Sequence, residues 1–463
     1  MKRFLWLGFV LSVYLIGTGC GDTFRPIIIP NPPVFPNPAA AHTVVSINDN
    51  GTIVSGSAMV IDVSGDTDVS VANVGLAPVH AVQQTANVVL VVNHSVTGAV
   101  ADSITKLNFN GTIISSTSTV SLPLNSAPSF VAVAPSAATA YVTLPNLVPD
   151  PVNFPNDNAV GVINTSSNNL ANTLTVGNQP DAIAVTPDNN KLYVANLGDN
   201  TVSGFNTLDL SPRTINGSFN APLWMIARSD NQRLYVLNGN GVVSTLDITS
   251  TAGPDKVIDA GINAPDAAYM LYDGNLNRLY IPGGSQLTML DAGQSTPQPL
   301  GASPITIPTV PPSSRSAQND PCFAIGAQTL TVAAVAALPD GSRAYVGAYY
   351  EGTVGSVNYI CPQVTVIDAV STTIKSYFAV PGFAAYDDFC DPSLSPRAPR
   401  FRITMAAAGD STRAYLASCD GGMVNIIDTS NDTYILNLPA PVSARSGSPL
   451  NPPQNPVFLF AGP

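Results

Sequence analysis

The chain has 463 residues, of which 45% are hydrophobic and only 10% are charged, whereas globular domains carry about 25% charged residues. Its acidic residues are 29 Asp and one Glu, against 5 Lys and 13 Arg, and the net charge is −12. The scarcity of Glu and Lys argues against bundles, coiled coils and other helix-rich folds. The acidic balance argues against nucleic acid as a partner.

The N-terminal segment, residues 1–19, has the features of an export signal. The basic pair Lys2 and Arg3 precedes an apolar run and small residues, and the segment is too short for a typical membrane span. It resembles a bacterial lipoprotein signal, in which Cys20 is lipidated, although Gly17 stands where that motif usually has Leu. We expect lipidation at Cys20; ordinary cleavage and an uncleaved anchor are the alternatives.

The next segment, residues 20–41, is rich in proline, with six between positions 26 and 38. Such sequences favour extended polyproline geometry, at about 3.1 Å per residue. We expect a tether that holds the folded domain, residues 42–463, away from the membrane. An unstructured tail without a spacing role is the alternative.

The domain repeats a unit of short apolar strands separated by turn residues. The clearest copy is PDAIAVTPDNNKLYVANLGDNTVSGFN, which spans Pro180 to Asn206. Its third strand ends in an apolar residue followed by Asp or Asn, and this ending occurs eight times, at Asp62, Asn108, Asn164, Asn206, Asp247, Asp291, Asp368 and Asp428. A tyrosine marks six second strands, at Tyr141, Tyr193, Tyr235, Tyr280, Tyr345 and Tyr415. With a fourth apolar strand, each unit is typical of a β-propeller blade.

The Tyr-Val-Ala-Asn segment at 193–196, with Pro-Asp at 187–188 before it, resembles the YVTN-type family of propeller repeats. That family is related to lactonase-like propellers. The resemblance is strongest over residues 180–291, and it implies an all-β propeller of four-stranded antiparallel blades. Eight repeats predict eight blades, and seven, the usual number in the family, is the alternative.

The two ends of the domain complement each other. Residues 43–75 supply second, third and fourth strands without a first strand, and the apolar segment Pro456–Ala461 supplies a lone first strand. Joining them completes one blade and removes sheet edges that promote aggregation. We therefore predict a ring that is closed by the C-terminal strand.

The long connections are expected on one rim of the ring. In an antiparallel blade, the 1–2 and 3–4 turns share one rim, and the 2–3 and 4–1 connections share the other. The long insertions are all of the second kind: 145–158, 301–330, 349–362, 381–400 and 439–455. Long loops on a rigid scaffold are the usual place for binding.

Four cysteines follow Cys20, and all fall in or beside connections of that rim: Cys322, Cys361, Cys390 and Cys419. An even number in an exported chain suggests disulfides, for which three pairings are possible. We expect pairing within a blade, Cys322 with Cys361 and Cys390 with Cys419, at about 2–4 kcal/mol each. No two of these cysteines are spaced as a CxxC motif, which argues against a thiol redox site or a zinc site.

Candidate binding residues cluster in two of the insertions: Tyr349, Tyr350, Glu351, Tyr386, Asp387, Asp388, Phe389, Asp391, Arg397 and Arg400. Arg402 belongs to the same mixed aromatic and charged stretch, and Tyr and Arg are enriched at binding hot spots. The Asp cluster at 387–391 offers a weak Ca²⁺ site, and no other cofactor or metal is expected. Because loop Asp residues usually serve turns and the chain has only three His, no catalytic residue is assigned.

The preferred hypothesis is a monomeric, exported and lipid-anchored β-propeller of the bacterial cell envelope. It would bind a protein or a glycan through the rim that carries the long connections. The family resemblance implies one alternative, a lactonase-like hydrolase, and a structural envelope protein is another. The scarcity of Glu and His argues against the hydrolase.

Overall fold

The computed structural model describes residues 43–51, 53–95, 100–146, 158–311, 320–325, 328–381, 383–393, 401–442 and 452–462. These residues form eight antiparallel blades arranged as a closed ring, so the eight-bladed propeller is confirmed. The signal segment, the Pro-rich tether and Cys20 lie outside the described residues. None of the described helices is long and apolar enough to cross a membrane.

In chain order, the strands of the first four blades are β1 (Thr43–Asp49), β2 (Ser57–Asp62), β3 (Thr67–Asn73), β4 (Pro78–Thr85), β5 (Val88–Asn93), β6 (Ser103–Asn110), β7 (Ile113–Ser121), β8 (Val131–Val133), β9 (Thr139–Leu144), β10 (Ala159–Asn164), β11 (Asn169–Thr175), β12 (Pro180–Val185), β13 (Lys191–Asn196), β14 (Thr201–Asn206) and β15 (Pro212–Arg213). The remaining strands are β16 (Ile215–Asn216), β17 (Pro222–Ala227), β18 (Arg233–Asn238), β19 (Val242–Asp247), β20 (Asp255–Val257), β21 (Ile262–Asn263), β22 (Leu271–Asp273), β23 (Arg278–Gly283), β24 (Gln286–Asp291), β25 (Gln298–Pro299), β26 (Ile305–Thr306), β27 (Leu330–Ala337), β28 (Arg343–Val354), β29 (Val357–Asp368), β30 (Thr373–Ala379), β31 (Ala384–Ala385), β32 (Ile403–Ala407), β33 (Arg413–Ser418), β34 (Met423–Asp428), β35 (Thr433–Pro439) and β36 (Asn455–Ala461). Among the described residues, the helical elements are one α-helical turn, α1 (Pro321–Ala324), and a 3₁₀ turn (Asp388–Cys390).

Each blade places its strands side by side in chain order, apart from blade 1. Blade 1 has the order β36-β1-β2-β3, and blades 2, 3 and 4 are β4 to β7, β8 to β11 and β12 to β15. Blades 5 to 8 are β17 to β20, β22 to β25, β27 to β30 and β32 to β35. The short strands β16, β21, β26 and β31 add to the outer parts of blades 5, 6 and 7.

The C-terminal strand closes the ring as predicted. β36 pairs antiparallel with β1, from Val44 opposite Ala461 to Asp49 opposite Asn455. A second link joins the same two ends, because the Arg413 guanidinium of blade 8 lies 3.0 Å from the Asp66 carboxylate of blade 1. Closure therefore combines backbone pairing with an ion pair between blades.

The core lies between neighbouring blades, where apolar faces of consecutive sheets pack on each other. The six repeated tyrosines of the second strands are all buried, and several reach the next blade. Tyr235 donates a hydrogen bond to the carbonyl of Ala292 at 3.0 Å, and Tyr193 donates one to Asp255 at 2.8 Å. The repeat therefore encodes contacts between blades as well as strands within them.

Six of the eight repeated Asp and Asn residues initiate turns by accepting the backbone N–H two residues further on, whereas Asn108 lies within β6 and Asn206 accepts from Arg213. Oδ1 of Asp62, for example, accepts the N–H of Ser64 at 3.1 Å, and Oδ1 of Asp428 accepts that of Ser430 at 2.8 Å. Third strands end at the predicted residue in seven blades; in blade 2, β6 continues to Asn110, with Phe109 buried.

Two expectations about the blades need correction. Residues 349–362 are not a loop, because β28 and β29 continue through them as a paired hairpin that turns at Gly355, where φ is 66°. In blades 4, 5 and 6, the expected fourth strand is reduced to two or three residues, β15, β20 and β25. Proline lacks a backbone donor, and Pro212, Pro254 and Pro299 stand in or beside these short strands.

Candidate binding site

The ring has two different rims. We call the rim that carries the 2–3 and 4–1 connections the upper rim, and the rim that carries the 1–2 and 3–4 turns the lower rim. Each first strand therefore runs from the upper rim to the lower rim. Both predicted disulfides form on the upper rim, with Cα–Cα distances of 5.9 Å for Cys322–Cys361 and 5.8 Å for Cys390–Cys419. All four cysteines are buried, so both links lie beneath the surface of this rim.

The first disulfide fastens the connection before blade 7 to the long hairpin of that blade. Cys322 lies in α1, which begins where the Asp320 carboxylate accepts the Cys322 N–H at 2.9 Å, and Cys361 lies in β29. The Tyr350 hydroxyl donates to the carbonyl of Cys322 at 3.3 Å. The second disulfide similarly fastens the 3₁₀ turn of the connection between blades 7 and 8 to the end of β33.

Arg402 is the centre of a buried ionic cluster on the upper rim. Its side chain, just before β32, is 2% exposed, and it pairs with the carboxylate of Asp420, which is fully buried. A second guanidinium nitrogen lies 3.8 Å from Asp391 Oδ2. The guanidinium carbon lies 4.4 Å from the ring centroid of Tyr386 and 5.9 Å from that of Tyr349, within the range of cation–π attraction.

Hydrogen bonds tie this cluster to three blades. Asp420 Oδ1 accepts the N–H of Asp387 at 2.9 Å, and Asp391 accepts the hydroxyl of Tyr386. The amide of Asn455, at the start of β36, donates to the carbonyl of Cys419 at 2.9 Å and lies 3.4 Å from Asp387 Oδ2. The blade 7 hairpin, the connection to blade 8 and the closing strand therefore meet at one place.

Burial and these contacts define the charges of the cluster. Burial raises the pKa of Tyr386 to about 12, and the hydrogen bond to Asp391 adds to the shift. Burial opposes the lowering of the Asp391 pKa, but the hydrogen bonds from Tyr386 and Ser393 outweigh it. Desolvation would lower the pKa of Arg402, but the charge of Asp420 raises it, while burial raises the pKa of Asp420 against the pull of Arg402.

The structure separates the predicted site residues into three groups. Tyr349, Tyr386, Asp387 and Asp391 come together around Arg402, whereas Tyr350 is buried and belongs to the core beneath the rim rather than to its surface. Glu351 and Asp388 are exposed on the rim, and Phe389 packs partly buried against the core of blades 1 and 2. Arg397 and Arg400 lie outside the described residues.

Sequence reasoning missed Asp420 and Asn455. Asp420 directly follows Cys419, so its position beside a paired cysteine was the available signal. Nothing in the sequence marks Asn455, because its contacts arise only when the closing strand reaches blade 1. In the part of the chain that the structure describes, no three His, Cys, Asp or Glu side chains come together as a metal site, and the calcium hypothesis remains a prediction.

Two of the three histidines, His80 and His94, lie among the described residues. His80 lies in the central channel, with its ring 4.1 Å from the centroid of Phe130. Burial lowers the pKa of His94 although the charge of Asp102 opposes the shift, and His42 lies outside the described residues.

Comparison with known proteins supports the architecture alone. No protein-family model and no curated protein matches the chain. Among solved structures, apo AztD from Citrobacter koseri matches with a TM-score of 0.56 at 11% identity, covering 91% of this chain and 98% of that one. A candidate 6-phosphogluconolactonase from Bacteroides uniformis has a TM-score of 0.48 at 11% identity and covers 75% of this chain and 97% of its own. At 11% identity, the likeness to AztD supports the fold alone, and the eight blades themselves define the class of protein, a β-propeller.

The disulfides should stabilise the ring by separate amounts. Replacing Cys390 and Cys419 by Ser is expected to lower the free energy of unfolding by about 2–4 kcal/mol, because the reduced chain loses a crosslink that restricts its unfolded state. Cys322→Ser with Cys361→Ser should cost a similar amount. Urea unfolding of both double variants tests this. A reducing agent should destabilise wild type and each double variant, because each double variant keeps the other disulfide, but it should leave a variant with all four cysteines replaced by Ser unchanged. Equal stability of wild type and both variants would contradict it.

Proposed function

We propose that the protein is an exported, lipid-anchored propeller with YVTN-type repeats that acts as a monomeric binding module of the cell envelope. It engages a protein or a glycan through the upper rim. The observation that carries the proposal is the concentration of both disulfides, the long hairpin of blade 7 and the Arg402 cluster on that rim. These devices rigidify long connections, which favours binding because less conformational freedom is lost on association.

The exposed side chains of the upper rim suit an interface. Phe323 in α1 is 40% exposed and Phe383 beside β31 is 37% exposed. The carboxylates of Glu351 and Asp388 are exposed on the same rim. Aromatic anchors among charged groups are typical of binding surfaces, and the exposed carboxylates favour a partner with positive charge.

The direction of the chain supports the same face. β1 begins at Thr43, opposite Ala461 and Gly462 at the end of the closing strand, and that end of blade 1 is on the lower rim. A tether that ends at residue 42 would therefore join the domain at the lower rim. The upper rim is the face opposite this point of attachment.

Export accounts for the buried disulfides. Structural disulfides form and persist in oxidising compartments such as the periplasm or the cell surface, and this chain has two. The signal features of residues 1–19 and the lipidation motif at Cys20 are consistent with that compartment. Labelling with radioactive palmitate, with Cys20→Ser as the control, tests the anchor.

The binding proposal predicts the loss of a partner from a rim variant. We expect the full chain to capture a defined envelope species, and Phe323→Ala with Phe383→Ala to weaken that capture by at least about tenfold, because exposed aromatic anchors dominate interfaces. Leu208→Ala is the matched control, since Leu208 is 97% exposed on the lower rim. Affinity capture followed by quantitative mass spectrometry measures this. Equal capture by the rim variant, or loss in the control, would contradict the proposal.

A further inference from the structure

The central channel contains an apolar cavity that the binding proposal does not use. The cavity has a volume of about 310 Å³ and lies among β27, β32 and β36, the first strands of blades 7, 8 and 1. Small side chains make room for it, including Ala333 and Ala337 from β27 and Ala407 from β32. Among the described residues that line it, none is Asp, Glu, Lys or Arg, although the chain has 48 such residues.

Aromatic rings form the wall of the cavity toward the upper rim. The ring centroid of Trp224 lies 5.0 Å from that of Tyr269 and 6.0 Å from that of Phe401, at interplanar angles of 76° and 66°. Phe130 meets Trp224 edge to face at 5.4 Å and stacks on His80 at 4.1 Å. This arrangement continues across the channel and offers ring faces and edges, the contacts that aromatic molecules prefer.

The cavity extends from these rings toward the lower rim. Trp224 and Phe401 lie near the start of first strands, whereas Ala337, Ala407 and Ala461 lie at the ends of first strands, where the 1–2 turns begin. The end of the cavity toward the lower rim is therefore lined by three alanines, together with Phe460. A ligand that enters there would meet the aromatic wall at its inner end.

We propose that the channel binds an uncharged, apolar molecule of two or three rings. An apolar cavity of about 150 Å³ holds a benzene molecule, so a cavity of about twice that volume has room for a bicyclic or slightly larger ligand. Pockets for small molecules begin at about 300 Å³. A charged ligand is disfavoured because the described lining offers few polar side chains, such as His80 and Thr404, and no Asp, Glu, Lys or Arg, to replace the hydration of an ionised group. The proposal is independent of the partner of the upper rim.

Trp224 provides a direct test. The chain has two tryptophans, Trp6 and Trp224, so Trp6→Phe in the full chain leaves Trp224 as the only tryptophan, which can be excited selectively over the tyrosines. We expect N-phenyl-1-naphthylamine to quench Trp224 by energy transfer with a dissociation constant in the micromolar range. Its sulfonated analogue, 8-anilino-1-naphthalenesulfonate, should bind at least about tenfold more weakly. Equal affinity for the two dyes, or tighter binding of decanol in competition, would overturn the proposal.

Filling the cavity should remove the ligand while the fold persists. Ala333 and Ala407 line the cavity and are only partly buried, so Ala333→Leu with Ala407→Leu can project into the open space. We expect at least about tenfold weaker dye binding with the thermal unfolding temperature retained. Ala171→Leu, at an exposed position of β11, is the matched control and should bind as wild type does. Unchanged dye binding by the folded double variant would contradict the proposed site. If the double variant does not fold, the relative affinity of the two dyes for the wild-type protein tests the proposal instead.

Discussion

Removal of residues 455–463 is expected to abolish cooperative folding of the ring. The deletion removes β36 together with its buried Val457 and Leu459, and it uncovers β1, whose seven residues are all buried. Each buried aliphatic side chain contributes about 1.5–3 kcal/mol, and the backbone pairings of β1 with β36 are lost as well. The sum is comparable with the whole stability of a typical protein, about 5–15 kcal/mol. Circular dichroism during thermal unfolding should show no sharp transition.

Two controls make this result specific. Deletion of Pro463 alone, which lies beyond β36, should leave the transition unchanged. A synthetic peptide with the sequence of residues 455–463 should restore part of the cooperative transition in the truncated chain, because it can pair with β1. A truncated chain with the melting temperature of wild type would show that the closing strand is dispensable.

Asp255→Asn is expected to lower the free energy of unfolding by about 3–5 kcal/mol, the usual cost of leaving buried charge without its partner. Asp255 is fully buried in blade 5 and accepts hydrogen bonds from three side chains of blade 4. Lys191 Nζ and Arg213 Nε each lie 3.0 Å from its carboxylate, and the Tyr193 hydroxyl lies 2.8 Å away. An amide keeps the shape but leaves two buried cations uncompensated.

Asp247→Asn is the matched control in the same blade. Asp247 is 28% exposed and pairs with Arg233 at 3.3 Å, and exposed pairs contribute only about 0–1 kcal/mol. Its turn role survives, because an Asn side chain can also accept the N–H of Thr249. Chemical unfolding of both variants measures the difference. A similar loss in the two would contradict the buried linkage between blades.

The deficit of Asp255→Asn should shrink in alkaline solution. Burial already lowers the pKa of Lys191 although Asp255 opposes that shift, and the pKa should fall further without the carboxylate. Between the folded and unfolded pKa values, the unfolded state then binds more protons, so stability rises with pH toward the ordinary lysine pKa of about 10.4. Stability curves from pH 7 to 10 test the sign, and a deficit that grows with pH would contradict it.

The repeat made most of the fold predictable. Buried tyrosines in the second strands and turn-forming Asp or Asn at the ends of the third strands recur often enough to count eight blades. Closure followed because residues 43–75 lacked a first strand and residues 456–461 supplied one. Both inferences depend on a repeated pattern of residues that can be read along the sequence without knowledge of tertiary contacts.

Other features depend on tertiary structure that local patterns do not contain. Residues 349–362 are predicted as a long connection and contain the turn residues Gly352, Gly355 and Pro362, whereas the structure forms two strands of 12 residues there, longer than the common range. Arg402 and Asp420 are 18 positions apart and meet only because adjacent connections of blades 7 and 8 are folded together. The cavity depends on which side chains of each first strand face the channel. The apolar sequences of these strands do not predict that orientation.

The binding role of the upper rim is tested most directly by photo-crosslinking in living cells. The photoreactive residue p-benzoylphenylalanine would replace Asp388, which is exposed on the upper rim, or Asp209, which is exposed on the lower rim. We predict a discrete crosslinked product of higher mass from position 388 and none of that mass from position 209, with mass spectrometry identifying the partner. Crosslinking from position 209 alone, or from neither position in cells with correctly exported protein, would contradict the account.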